Sequence, residues 1–164
     1  MIPPPQFFKL LAIDPGTTES AVLYWDGTSA RNASIMSNEA LLAWILSNDC
    51  PHDLCCIEMV ASYGMPVGRE VFETCVWIGR FYEAWRQHAR NEPRLVYRRD
   101  VKMHHCGTAR AKDGNIRQAL IDKYGEPGTK KAPGRTYGLK SHLWAAFALA
   151  TFVSETTPPS TIDA

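Results

Sequence analysis

Two short apolar runs in this chain stop abruptly on a carboxylate, and that pattern restricts the fold more than any other feature. The run from Phe7 to Ile13 ends at Asp14-Pro-Gly-Thr-Thr, and Leu54–Ile57 ends at Glu58. Such runs read as strands covered on both faces, so the sheet that holds them needs helices above and below. Each acid then stands at a strand end, where a packed core would not want it. A buried carboxylate without a partner costs several kcal/mol, so a cation or strong donor is expected beside each.

The rest of the chain supplies the layers. Ser20–Trp25 and Ala30–Met36 read as strands joined by a turn at Asp26-Gly27. Ser37 is placed to cap a helix bearing Leu41, Leu42, Trp44, Ile45 and Leu46, and Asp53–Val60 is the fourth strand. A helical period predicts a long helix from Val67 to about Ala89, followed by a fifth strand at Leu95–Tyr97. Helices are predicted over Ala111–Tyr124 and Leu139–Val153, separated by a Gly/Pro/Lys loop at Gly125–Gly138 that is expected to be mobile. The order β-β-β-α-β-α-β-α-α makes an α/β fold with a mixed five-stranded sheet flanked by helices. One domain is expected over residues 1–154, with 155–164 as a flexible tail.

A length of 164 residues with 45% hydrophobic and 21% charged side chains excludes a fibrous repeat, a disordered chain and a disulfide miniprotein. The N-terminal stretch lacks a basic region and a cleavage site, and no run is long enough to span a membrane. An intracellular protein is therefore expected, in bacterial or phage-infected cytoplasm. The five cysteines (Cys50, Cys55, Cys56, Cys75 and Cys106) lack CxxC spacing and read as buried reduced thiols rather than a zinc site.

A net charge of +1 hides a strong division. Residues 1–79 carry three basic and nine acidic side chains, whereas residues 80–140 carry fifteen basic and six acidic ones. Arg80, Arg86 and Arg90 fit the solvated face of one helix. Arg94, Arg98, Arg99, Lys102, Arg110, Lys112, Arg117, Lys130, Lys131 and Arg135 span several elements and make a field suited to a polyanion such as nucleic acid.

His142 opens the last apolar helix, after Ser141. Two carboxylates on neighbouring strands with a ligand from a facing helix suit hard divalent cations. Two such ions about 4 Å apart would orient a water and stabilise the leaving oxygen in phosphodiester cleavage. Asp-Pro-Gly is also a good turn tripeptide, which accounts for Asp14 alone but not for Glu58.

The strings IDPGTTESAV, IEMV, VKMHHCGTARAKDGNIRQAL and GLKSHLWAAFALA resemble, in order and spacing, the phage-type RuvC Holliday-junction resolvases, over about residues 8–153. The resemblance implies a ribonuclease H-like fold, two Mg²⁺ ions (with Mn²⁺ able to substitute), a four-way DNA junction as substrate and a homodimer, with no nucleotide cofactor. It makes Asp14 the first-strand metal ligand, Glu58 the fourth-strand ligand, and His142 the final-helix ligand. The second acid usual one turn later falls on Ala145, so Asp113 is the candidate substitute, with helix capping as its other reading. Lys102 matches a lysine near the scissile phosphate. Arg110, Lys112, Arg117, Lys130 and Lys131 would contact phosphates, and Arg69 opens the helix after Glu58, where phosphate is also favoured. Tyr63 falls where the family sets an aromatic against unpaired crossover bases. The helix over 67–89, with Val71, Phe72, Trp77, Phe81 and Trp85, is the candidate dimer interface.

The Asp14-Pro-Gly-Thr-Thr-Glu-Ser string also resembles the first phosphate loop of the sugar-kinase and actin-like ATPases. Those enzymes need a second lobe for which this chain has no room. A catalytically silent branched-DNA-binding module and a ribonuclease H-like nuclease acting on other branched DNA or on RNA–DNA hybrids are the remaining alternatives.

Overall fold

The first strand, β1 (Leu10–Asp14), is the middle of the sheet, and its first four residues are fully buried. The structure, a computed structural model, describes residues 9–158. Phe7 and Phe8, expected at the start of this strand, lie outside the described residues, as does the tail from 159. β2 (Glu19–Trp25) and β3 (Ala30–Ser37) follow as antiparallel neighbours, while β4 (Leu54–Met59) and β5 (Arg94–Tyr97) add in parallel on the other side. The order β3-β2-β1-β4-β5 is the mixed five-stranded sheet read from the sequence.

Local chemistry accounts for the turns. Asp26 closes the β2–β3 connection by accepting from the Thr28 and Ser29 backbone N–H groups at 2.9 and 2.8 Å. The Ser37 hydroxyl accepts from the Ala40 N–H at 3.2 Å and starts α1 (Asn38–Ile45). After β4 come α2 (Arg69–His88), α3 (Arg98–Cys106), α4 (Asp113–Tyr124) and α5 (Leu143–Thr156).

Alternation along the strands separates two cores. Leu11, Ile13, Cys55 and Ile57 face α1 and α2, while Leu10, Ala12 and Cys56 face α3, α4 and α5. Burying each large apolar side chain contributes about 1.5–3 kcal/mol, so both faces are strongly driven. Ten residues of α5 are buried, because its stretch from Leu143 to Val153 is apolar on every side apart from Thr151. Cys55 and Cys56 thus point to opposite faces. Cys50, Cys55 and Cys56 are buried and Cys75 and Cys106 half-buried, all as free thiols.

Four expectations need correction. Helix α3 was not anticipated, because Arg98–Cys106 is polar and only Val101 on it is buried. Helix α5 begins at Leu143 rather than Leu139 and runs to Thr156, past the expected domain end, with Glu155 drawn into contact with His104, Lys123 and Tyr124. The Gly125–Gly138 segment is held as paired turns: Gly134 N–H donates to the Pro127 carbonyl at 2.8 Å, and Thr136 is fully buried. A Cβ on Gly128 would stand 2.3 Å from the Ala132 carbonyl oxygen, so the backbone approach requires glycine. Finally, Phe81 and Trp85 are fully buried against the sheet instead of lining an interface, whereas Phe72 and Val76 are each 62% exposed.

Candidate active site

Strand register sets the first two acids side by side. Ile13 pairs with Ile57 in the parallel β1–β4 ladder, so Asp14 and Glu58 are the next residues on adjacent strands. Since Ile13 and Ile57 face α1 and α2, the following side chains turn to the α5 side. The turn behind Asp14 is locked from within. Ser20 Oγ donates to Asn38 Oδ1 at 2.7 Å, and Asn38 Nδ2 donates to the Gly16 carbonyl at 2.9 Å. Asn38 is fully buried, and a Cβ on Gly16 would sit 2.4 Å from the Glu19 carbonyl oxygen.

His142 arrives from across the cleft. It is the N-cap residue of α5, and its Nδ1 meets Asp14 Oδ2 at 3.0 Å. The preceding Ser141 holds a positive φ of 50°, uncommon for a non-glycine residue and typical of backbone constrained at a site.

Arg98 completes the other side. β5 runs directly into α3, and Arg98 is the first residue of that helix, just past the Met59–Tyr97 register pair. Its Nη1 donates to Glu58 Oε2 at 3.2 Å, and its Nη2 donates to Asp113 Oδ1. Asp113 is free to do this because the helix cap is made by Asn115, whose Oδ1 accepts from the Lys112 N–H at 2.9 Å. Asp14, Glu58, Arg98, Asp113, Arg117, Ser141, His142, Trp144 and Ala145 all line one cleft of about 490 Å³.

The electrostatics of the cleft are unbalanced. Burial and the neighbouring Asp14 push the Glu58 carboxyl up to about 7, against the pull of Arg98. Burial also raises Asp14, opposed by His142 and Arg98. Asp113 moves the other way, held down by its hydrogen bond to Arg98. Two carboxylates on adjacent strand ends share this cleft with little positive charge between them, although among the described residues the three potential metal ligands drawn within 4.8 Å of one another are His104, His105 and Glu155. The two carboxylates are donors that suit an oxygen-preferring divalent cation, and His142, a nitrogen donor, stands against one of them.

The remaining expected residues lie outside this cleft. Lys102 is one turn beyond Arg98 on α3 and acts on Asp113 only as a nearby charge. Tyr63 is 60% exposed in the turn after β4, with a positive φ of 48°. Arg69 is tied to Glu73 at 2.5 Å. Arg110, Lys112, Lys130 and Lys131 are exposed and make no ion pair among the described residues. Arg117 is the one basic residue of the expected DNA-binding set that reaches the cleft, with its guanidinium 4.9 Å from the Trp144 ring centroid. Sequence reasoning missed Arg98 as a site residue and missed the Ser20–Asn38 lock. The available signal for Arg98 was a cation directly after an apolar strand at the carboxyl edge of the sheet.

No family model matches the chain, and no curated protein matches it. Among solved structures, Thermus thermophilus RuvC superposes with a TM-score of 0.65 at 17% identity, over 90% of this chain and 95% of that one. The structure of T. thermophilus RuvC in complex with Holliday junction substrate gives 0.64 at 17% identity, over 88% and 92%. Strand order, two covered sheet faces and this overlap give the chain the ribonuclease H-like fold that RuvC has.

Proposed function

We infer that this chain is a metal-dependent, structure-selective DNA endonuclease of the RuvC type, cutting four-way junctions by paired hydrolysis of phosphodiester bonds. The observation that carries this reading is the Asp14–Glu58 pair at adjacent strand ends, facing His142 across a cleft open to solvent. The phage-type sequence strings and the likeness to a RuvC solved on a Holliday junction support the substrate class.

Asp14, Glu58 and His142 would hold the metal, Mg²⁺ by the hardness of the two carboxylates, with Mn²⁺ as a substitute. Bound there, a divalent cation supplies water activation and stabilises the leaving oxygen. The chain's own residues do the rest. His142 orients Asp14 through the Nδ1–Oδ2 contact, and the Ser20–Asn38 lock keeps the Asp14 turn rigid. Arg117, Arg110, Lys112, Lys130 and Lys131 bind phosphates and set the register of the DNA, with Lys102 adding charge beside the cleft. Tyr63 is exposed enough to stack on an unpaired base. Two cuts related by symmetry require two copies of the site, and the exposed Phe72 and Val76 on α2 make that helix the proposed homodimer face.

The test is cleavage of a labelled four-way junction with Mg²⁺ or Mn²⁺, against linear duplex and an RNA–DNA hybrid. Symmetric nicks in the junction, lost in Asp14→Asn and Glu58→Gln, are the expected result. Ala145 favours a second reading, a silent junction-binding module, which binding without cutting in either metal would establish. Preferential cutting of the hybrid would retain the fold and reject the junction.

A further inference from the structure

We propose that Arg98 replaces a second metal ion, so that the cleft binds a single divalent cation and uses the guanidinium as its other positive centre. This rests on the metal-dependent reading above and refines it.

The first support is position. Arg98 lies between two of the three carboxylates of the cleft, bonded to Glu58 at 3.2 Å and to Asp113 by its other terminal nitrogen. A planar guanidinium with two donors engaged in this way is a fixed charge bridging two acids, as a bridging metal would be. Its side chain is only 27% exposed, and that of Glu58 is 14% exposed.

The second support is charge. The three acids of the cleft, Asp14, Glu58 and Asp113, face two guanidiniums, Arg98 and Arg117, so its formal charge is −1, which one divalent ion already more than neutralises. An acid in place of Ala145 and a neutral residue in place of Arg98 would make it −3, a charge that one divalent ion does not neutralise. Ala145 and Arg98 both line the cleft, and each leaves it one unit less negative than an acid or a neutral residue, respectively, would at that place.

The third support is location on the helix. Arg98 is the first residue of α3, where the helix dipole disfavours a cation. A positive side chain held there against the dipole is explained by the two acids it serves. Arg98 has three further N–H donors, available to a phosphate oxygen when DNA is bound. Asp113, on this account, positions Arg98 and does not ligate metal.

Counting bound Mn²⁺ by electron paramagnetic resonance, in titrations of the full chain, tests the proposal. Wild type is expected to bind one Mn²⁺ per chain, Arg98→Ala two, and Arg98→Lys one. Asp113→Asn is expected to leave the count at one, whereas a two-ion site using Asp113 as a ligand would lose an ion. Two Mn²⁺ in wild type, none in wild type, or an unchanged count in a folded Arg98→Ala overturns the proposal. Circular dichroism identifies a variant that fails to fold, and the Asp113→Asn count then decides alone. Failure of the functional reading is seen separately, as a junction left uncut by protein that binds its Mn²⁺.

Discussion

Glu58 and Glu155 are half-hidden glutamates in charged clusters on the same side of the sheet, yet they are driven in opposite directions. Their side chains are 14% and 22% exposed. Glu58 is pushed up to about 7 by burial and by Asp14. Glu155 is held down at about 2 despite its burial, because Lys123, Tyr124 and His104 all donate to it. Burial opposes ionisation in both places, so the number of donors decides the sign. A carboxylate with all its donors is a fastening between α3, α4 and α5. One left short of positive charge is a site prepared for a ligand at the cost of stability.

Activity should separate the two clusters most. Asp14→Asn or Glu58→Gln is expected to lower junction cleavage by about 10³-fold or more, in the range of losing a principal electrostatic group. Glu155→Gln is expected to leave the cleavage rate within about twofold. A comparable loss in Glu155→Gln, measured on labelled junctions, would break the contrast.

Stability should move in opposite directions. At pH 8, Glu58→Gln is expected to stabilise the fold by about 1–2 kcal/mol, a few degrees in Tm, because it removes a carboxylate that folding holds above its ordinary value of 4.5. Glu155→Gln is expected to destabilise by about 1–2 kcal/mol, through weakened charged hydrogen bonds. Thermal unfolding of the two variants beside wild type decides it.

The pH dependence sharpens this further. For Glu58, whose folded value is raised, the unfolded chain loses its proton first, so wild-type stability relative to Glu58→Gln falls as pH rises from 4.5 to about 7. For Glu155, whose folded value is lowered, the stabilisation is full above 4.5 and is lost as pH falls towards 2. Denaturant midpoints across pH 3–8 test both signs.

The smallest expected effects are those of ligands. Mn²⁺ at about ten times its dissociation constant should stabilise wild type by about 1.4 kcal/mol and Asp14→Asn by less. Arg117→Ala should weaken junction binding and reduce the salt slope by about one, without altering where the cuts fall.

Much of this site was legible from short stretches of sequence. Asp14 and Glu58 end apolar runs, His142 opens an apolar helix, and the Ser37 cap and Asp26 turn are written in adjacent residues. Arg98 was legible only as a cation among many. Its two partners lie 40 and 15 residues away, and they meet it only because β4 and β5 pair in parallel and α4 packs against α3. The aromatics of α2 mislead for a similar reason. Phe72, Phe81 and Trp85 share one helix, but the sheet buries Phe81 and Trp85 and leaves Phe72 outside.

By itself, then, the sequence determined the strands, the layers and the acids at the strand ends, because side-chain periodicity and turn chemistry act over a few neighbouring residues. Only the tertiary structure decided which charges face one another. Arg98 came to bridge Glu58 and Asp113, while Glu155 was taken up by three donors from two other helices. Those pairings depend on strand register and helix docking across tens of residues, and no local window of sequence encodes them.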